Sequence, residues 1–298
     1  MMDYGSALAS SCAEELRSRA LEGGGFAMFP GGAYRPDATA WAVLSLAATR
    51  SGARDHDVIG SGRSRLAAGQ LEDGRVSISP SDPDSFWPTP LVILAWHGSE
   101  KHTGARSHAI DFLLNTSGKH WAKEEDSPLA HDTSIPGWSW TKDTHSWVEP
   151  TSLSILALRI SGFGEHDRVR EGIRLLMDRQ LPAGGWNIGS TLVYGKEAYP
   201  QSDCTGIALS ALAGYIPQRE VEKSVRYLRS QVKRLRTPLS LGWGILGLGA
   251  WGQRPDQATA WIQESMSRHK KYGVYDTTLV SLLLLALERK KGFGNLFG

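Results

Sequence analysis

Two patterns of hydrophobic and polar positions alternate along the chain, and they predict two kinds of helix. In one pattern apolar residues stand three or four positions apart, as in 167–179 and 219–235, which is typical of a helix with one buried face. In the other pattern nearly every position is apolar, so the helix must be buried on most sides. Segments of this second kind are 43–46, 91–94, 153–158, 207–212 and 279–287.

The two helices and a glycine-rich turn between them form a unit that recurs six times, with a degenerate fifth copy around 239–251. Its period of roughly 35 to 60 residues suits a repeat of two helices. Six buried helices surrounded by six half-exposed ones close naturally into a double ring. We therefore predict an all-α fold, an (α/α)6 toroid of six inner and six outer helices, which forms one domain over residues 1–298.

Composition adds limits on the kind of protein. The 298 residues are 41% hydrophobic and 21% charged with a formal net charge of +2, so we expect no disordered chain and no nucleic-acid partner. Two cysteines, Cys12 and Cys204, make no disulfide framework and suit a reducing compartment. The longest apolar run is far below the roughly 20 residues of a membrane span. We expect a cytoplasmic protein. The apolar tail 292–298 leaves peripheral membrane contact open, and the oligomeric state is also open.

One repeat holds Gln180, Gly184 and Trp186 in the spacing Gln-x3-Gly-x-Trp. This spacing resembles the QW motif of the prenyltransferase and squalene-cyclase repeat family, and two other repeats keep it with different end residues. The resemblance extends over the whole chain and implies that Gln180 and Trp186 are structural, each bracing one helix end against the next. The zinc ligands of protein prenyltransferases are incomplete here, so we expect no metal.

A second motif narrows the resemblance. The run Ser202-Asp203-Cys204-Thr205 is similar to the Ser-Asp-Cys-Thr-Ala motif of oxidosqualene cyclases, with Gly206 in place of the alanine. In class II terpene cyclases the aspartate of this motif donates the proton that starts cyclisation. The resemblance therefore implies that Asp203 is the general acid of an isomerase that needs no metal or cofactor, with Cys204 and Glu149 tuning its acidity. Those enzymes use two helical domains, whereas this chain has one.

Acidic residues stand two positions before a threonine at four predicted inner-helix starts. Parallel inner helices would bring these acids to one mouth of the ring. Burial and neighbouring carboxylates raise the pKa of a carboxyl group, and proton donation to an alkene needs such a protonated acid. The alternative for each acid is to cap the free N–H groups of its own helix. The acids are Asp37, Glu149, Asp203 and Asp276, aligned on Thr39, Thr151, Thr205 and Thr278, and Trp87 precedes Thr89 in the same way.

Aromatic faces would stabilise a carbocation in a cavity that excludes water, although tryptophan in such turns also packs between repeats. We expect a hydrophobic polyprenyl or prenylated substrate, and isoprenoid biosynthesis as the setting. Two other functions stay open. One is a carbohydrate-active enzyme on the same toroid, which would use tryptophan platforms and paired carboxylates; the other is a non-catalytic isoprenoid-binding module. The candidate substrate-binding residues are Trp87, Trp140, Trp147, Tyr199 and Trp243.

Overall fold

Two concentric layers of helices make up the protein. The computed structural model describes residues 4–49, 55–123, 129–193 and 195–295. Its twelve α-helices are α1 Tyr4–Arg17, α2 Pro36–Ala48, α3 His56–Ala68, α4 Pro88–Trp96, α5 Thr103–Asn115, α6 Val148–Leu158, α7 Asp167–Asp178, α8 Ser202–Leu212, α9 Glu222–Val232, α10 Pro238–Ala250, α11 Ala258–Tyr272 and α12 Thr277–Glu288. A short antiparallel pair, β1 Leu192–Val193 and β2 Lys196–Glu197, precedes α8.

The even-numbered helices form the inner ring. Each contacts the next in order, and α12 returns to contact α2, so the ring is closed. The odd-numbered helices pack around them. Inner helices are buried along nearly their whole length because they are apolar on every side; all nine residues of α4 are buried, for example. This is the (α/α)6 toroid that the alternating hydrophobic pattern predicts.

Hydrogen bonds of threonine side chains join four inner helices to the turns that precede them. Thr39 Oγ1, for example, accepts a hydrogen bond from the Phe26 N–H at 2.8 Å and donates one to the Arg35 carbonyl at 2.7 Å. The repeated bond fixes where the first turn of each helix lies relative to the repeat. The other pairs of threonine and backbone N–H donor are Thr89 with Val76, Thr151 with Trp138 and Thr205 with Trp186.

In α12 Thr277, which precedes the aligned Thr278, makes a different contact, to the first repeat and not to the turn before its own helix. Thr277 Oγ1 donates to the carbonyls of Ala27 at 2.6 Å and Met28 at 3.0 Å, both in the first repeat. The fully buried Arg19 donates to the same Oγ1 at 3.2 Å. These bonds join the last repeat to the first. Asp276 is the N-cap residue before α12, whereas Asp203 is the second residue of α8, so the two acids are not in equivalent positions.

Close packing of two inner helices explains the glycine of the acid motif, Gly206. Helices α8 and α10 approach so closely that a Cβ atom on Gly206 would overlap the carbonyl group of Trp243, and one on Gly247 would lie 2.5 Å from the Gly206 carbonyl oxygen. The two helices therefore pack backbone against backbone, and an alanine would not fit there.

Gln180 and Trp186 brace neighbouring helices, as expected. Gln180 Nε2 donates to Ser224 Oγ at 2.8 Å, and the fully buried Trp186 donates from its indole nitrogen to the Leu176 carbonyl at 2.6 Å. Both contacts connect the turn before α8 to outer helices. None of the described helices combines the length and apolar character that crossing a bilayer requires.

The chain after α12 packs against the inner helices α2 and α10. Phe293 is fully buried there, with its ring centroid 6.0 Å from that of Trp41 and 5.3 Å from that of Trp243. Trp41 and Trp243 also meet edge to face at 5.9 Å. The three rings form an aromatic cluster between α2 and α10.

Candidate active site

The four acids expected at the inner-helix starts have different surroundings. Asp37, only 4% exposed, accepts two hydrogen bonds of 3.0 Å from the Arg35 guanidinium. Asp276 caps α12 by accepting a bond of 2.8 Å from the Leu279 N–H, and burial raises its pKa. The capping role is therefore observed for Asp276, whereas Asp37 is held in an ion pair. Both carboxyls are engaged in holding the structure.

Glu149 and Asp203 form a pair. They occupy the second position of α6 and of α8, which are adjacent inner helices. The pKa of Glu149 is raised to about 7, chiefly because the carboxyl is buried and secondly because the Asp203 carboxylate repels its charge; a hydrogen bond from the Trp140 side chain opposes the rise. The protonated form of Glu149 is therefore populated at neutral pH. Asp203 is itself partly buried.

Cys204 lies beside the pair but is directed to another partner. Its side chain is 6% exposed, and its Sγ donates to Gln201 Oε1 at 3.4 Å. Burial, followed by the charges of Asp203 and Glu149, raises the thiol pKa. The thiol therefore stays protonated, and it is not a nucleophile at neutral pH.

The expected aromatic residues separate into three groups. Trp140 and Trp147 stack with centroids 5.4 Å apart and an interplanar angle of 24°, and Trp140 contacts Glu149. Trp87 is partly buried, and its backbone N–H donates to the Trp140 carbonyl at 3.2 Å. Trp243 belongs to the buried cluster with Phe293, and Tyr199 is 88% exposed. The structure thus brings two of the five aromatic side chains, Trp140 and Trp147, together near the acid pair.

A cavity of about 170 Å³ opens next to Trp147, and most of its other lining residues belong to no motif of the sequence. They come from two loops and the end of an outer helix, so no repeat or motif marks them. Among the described residues no group of three or more His, Cys, Asp or Glu side chains is placed to hold a metal ion. The lining side chains include Lys119, Trp121, His131, His145 and Arg179.

No model of a known protein family matches the sequence, and no curated protein is similar to it in sequence. Solved structures do share its fold. A protein from Actinoplanes superposes with a TM-score of 0.64 at 13% identity, over 96% of this chain and 99% of that one. An α-1,6-mannanase from a Salegentibacter species gives a TM-score of 0.64 at 11% identity, with coverage of 96% and 99%.

The type II terpene cyclase MstE from Scytonema is also similar. A variant of it in complex with the substrate geranylgeranyl dihydroxybenzoate gives a TM-score of 0.61 at 14% identity, over 100% of both chains. At these identities the similarity shows a shared fold and no more. The toroid suits a terpene cyclase and a glycoside hydrolase equally, so the choice between them depends on the residues at the mouth of the ring.

Proposed function

We propose that this chain is a class II terpene cyclase-like isomerase that uses a proton to start the cyclisation of a hydrophobic polyprenyl or prenylated substrate. The observation that carries the proposal is the pair formed by Glu149 and Asp203 at the starts of two adjacent inner helices. One member has a pKa of about 7, so a proton is available at neutral pH in a partly buried, aromatic setting. Protonation of an alkene needs such a neutral carboxylic acid.

The chemistry follows from this geometry. Glu149, which holds the proton, passes it to the Asp203 carboxylate, and Asp203 gives it to one carbon of a substrate alkene. The resulting carbocation is attacked by the next double bond, so a carbon–carbon bond forms and the positive charge moves along the chain. The stacked Trp140 and Trp147 offer aromatic faces beside the acids, which stabilise a cation. Loss of a proton from the last cation leaves an isomer of the substrate.

The residues at the mouth of the ring give less support to the alternative of a carbohydrate-active enzyme. An inactive variant of the structurally similar mannanase has two consecutive aspartates replaced by asparagine, whereas this sequence contains no two consecutive aspartates. The acids here lie on separate helices, and Cys204 beside them is buried and protonated. Cyclisation therefore fits this set of residues better than glycoside hydrolysis does.

The proposal is tested by incubating the protein in EDTA with squalene, oxidosqualene, geranylgeranyl diphosphate and a prenylated aromatic compound, with products read by mass spectrometry. We expect a cyclic isomer of one substrate, which is lost in Asp203→Asn and strongly reduced in Glu149→Gln. Asp276→Asn is the matched control, since asparagine also caps a helix and its activity should persist.

Two results would overturn cyclisation. Tight binding of a polyene without any product would identify a non-catalytic isoprenoid-binding module. Absence of both binding and product, together with hydrolysis of an α-linked mannan oligosaccharide, would identify a glycoside hydrolase.

A further inference from the structure

The cavity beside Trp147 has the features of a ligand site that is separate from the acid pair. Its volume of about 170 Å³ exceeds the roughly 150 Å³ that suffice for a benzene molecule. The rings of Trp121 and Trp147 and the side chain of Ile135 supply apolar walls. His145 connects the two indoles, with centroid distances of 4.8 Å to Trp121 and 6.3 Å to Trp147.

Arg179 is the decisive residue of this cavity. It is only 5% exposed and lines the cavity, yet its Nε and Nη1 have no hydrogen-bond partner within the part of the chain that the structure describes. Nη2 has one long bond of 3.4 Å to the Asp132 carbonyl. A buried guanidinium with two unsatisfied nitrogens is unfavourable, so an acceptor that enters the cavity would complete its hydrogen bonding.

Among the described residues, the carboxylate paired with Arg179 is that of Asp178, and it satisfies little of this need. Asp178 Oδ2 lies 3.4 Å from Arg179 Nη1, but both Asp178 oxygens accept the Asp132 N–H, at 3.0 and 3.2 Å. Burial lowers the pKa of Arg179 to about 10, so the guanidinium remains charged at neutral pH. The charge is therefore present and incompletely hydrogen-bonded.

Other polar groups in the cavity suit the same kind of ligand. The buried Nδ1 of His131 also has no hydrogen-bond partner among the described residues. Lys119 contributes a second positive charge, and its ammonium lies 3.9 Å from the exposed Asp143 carboxylate. Cationic donors and indole rings that line the same cavity favour an anion attached to an apolar body.

We propose that this cavity binds an oxyanion, either a carboxylate or a phosphate, carried on an aromatic or otherwise apolar body, with Arg179 as its principal donor. This inference goes beyond the proposed function and does not depend on it. Trp147 nevertheless connects the two sites, because the ring that lines this cavity stacks on Trp140, which contacts Glu149. Under the cyclase proposal the bound anion would be one end of the substrate.

Binding is measured without turnover, by calorimetry and by quenching of tryptophan fluorescence. The probes are benzoate, phenyl phosphate, inorganic phosphate and the uncharged benzyl alcohol. We expect benzoate or phenyl phosphate to bind more tightly than the other two, and Arg179→Gln to weaken that binding about tenfold or more. Lys119→Met changes an exposed side chain and should weaken it less.

The controls make the result decisive. Arg254→Gln removes a different arginine, which donates to the Ala286 carbonyl and also has a nitrogen without a partner among the described residues; it should leave binding unchanged. If Arg179→Gln does not fold, Lys119→Met and Trp121→Phe are tested by the same titrations. Equal affinity for benzyl alcohol or inorganic phosphate, or unchanged binding in every cavity variant, would overturn the proposal. None of these results bears on the test with Asp203→Asn.

Discussion

Replacing Glu149 by glutamine is expected to stabilise the protein at pH 8 and to leave its stability unchanged near pH 4. Glutamine has the same shape and still accepts a hydrogen bond from Trp140, but it carries no charge. In the folded protein the pKa of Glu149 is about 7 instead of 4.5. Between these two pH values the folded state binds more protons than the unfolded state, so the free energy of unfolding of the native protein falls as the pH rises.

The size of the change in unfolding free energy follows from the raised pKa of Glu149. One pKa unit corresponds to about 1.4 kcal/mol, so the native protein loses about 3 kcal/mol of stability from this group on going from pH 4 to pH 8. The glutamine variant avoids this loss. The same substitution removes the stored proton, and we therefore expect it to raise stability and reduce cyclisation together, which is a common conflict at active sites.

The assay is urea denaturation of both proteins at half-unit steps from pH 4 to pH 8.5. The difference in unfolding free energy between variant and native protein should grow through the window from 4.5 to 7 and level off above it. Glu22→Gln, at an exposed position, serves as control and should show no comparable trend. A Glu149→Gln variant that is less stable at pH 8, or a difference that does not change with pH, would refute the reasoning.

Three further predictions concern the scaffold and are tested by thermal and urea unfolding. Gly206→Ala should lower stability by about 1–3 kcal/mol because its Cβ would overlap α10. Gly60→Ala is the control, since a Cβ at that position on α3 meets open space, and it should not lower stability. An equal loss of stability in both variants would contradict this reasoning. Phe293→Ala should lower stability by about 3–5 kcal/mol through the cavity it leaves, and a change below about 1 kcal/mol would contradict the burial of that ring. Arg19→Met should lower stability by about 3 kcal/mol because the Glu15 carboxylate and the Tyr275 carbonyl would lose the buried guanidinium that bonds to both; an unchanged melting temperature would show that Arg19 does not hold the ring closed.

The fold could be predicted because the inner helices are apolar on every side, and a double ring buries all six of them. The sequence could not predict which threonine of the last repeat joins α12 to the first repeat. Thr277 and Thr278 are identical in type, and the choice between them depends on carbonyl groups some 250 positions away in the sequence.

The candidate site was predictable only in part. The sequence identifies four acids with similar local surroundings, and the features that separate them are tertiary. Arg35 neutralises Asp37, whereas Glu149 faces a second carboxylate on the neighbouring helix. The cavity around Arg179 could not be predicted as a whole because its walls come from residues between 119 and 190 that share no motif. Only the fold brings them together.

The way in which the ring is closed has a consequence for the order of folding. Most contacts between repeats join segments that are close in sequence, but the bond from Thr277 to Ala27 spans 250 residues. Closing so long a loop is slow relative to pairing neighbouring repeats. We therefore expect an open arc of stacked repeats to form first, with α12 docking on α2 in a later, separate kinetic phase. Unfolding would begin at the same seam, and hydrogen exchange would be fastest there.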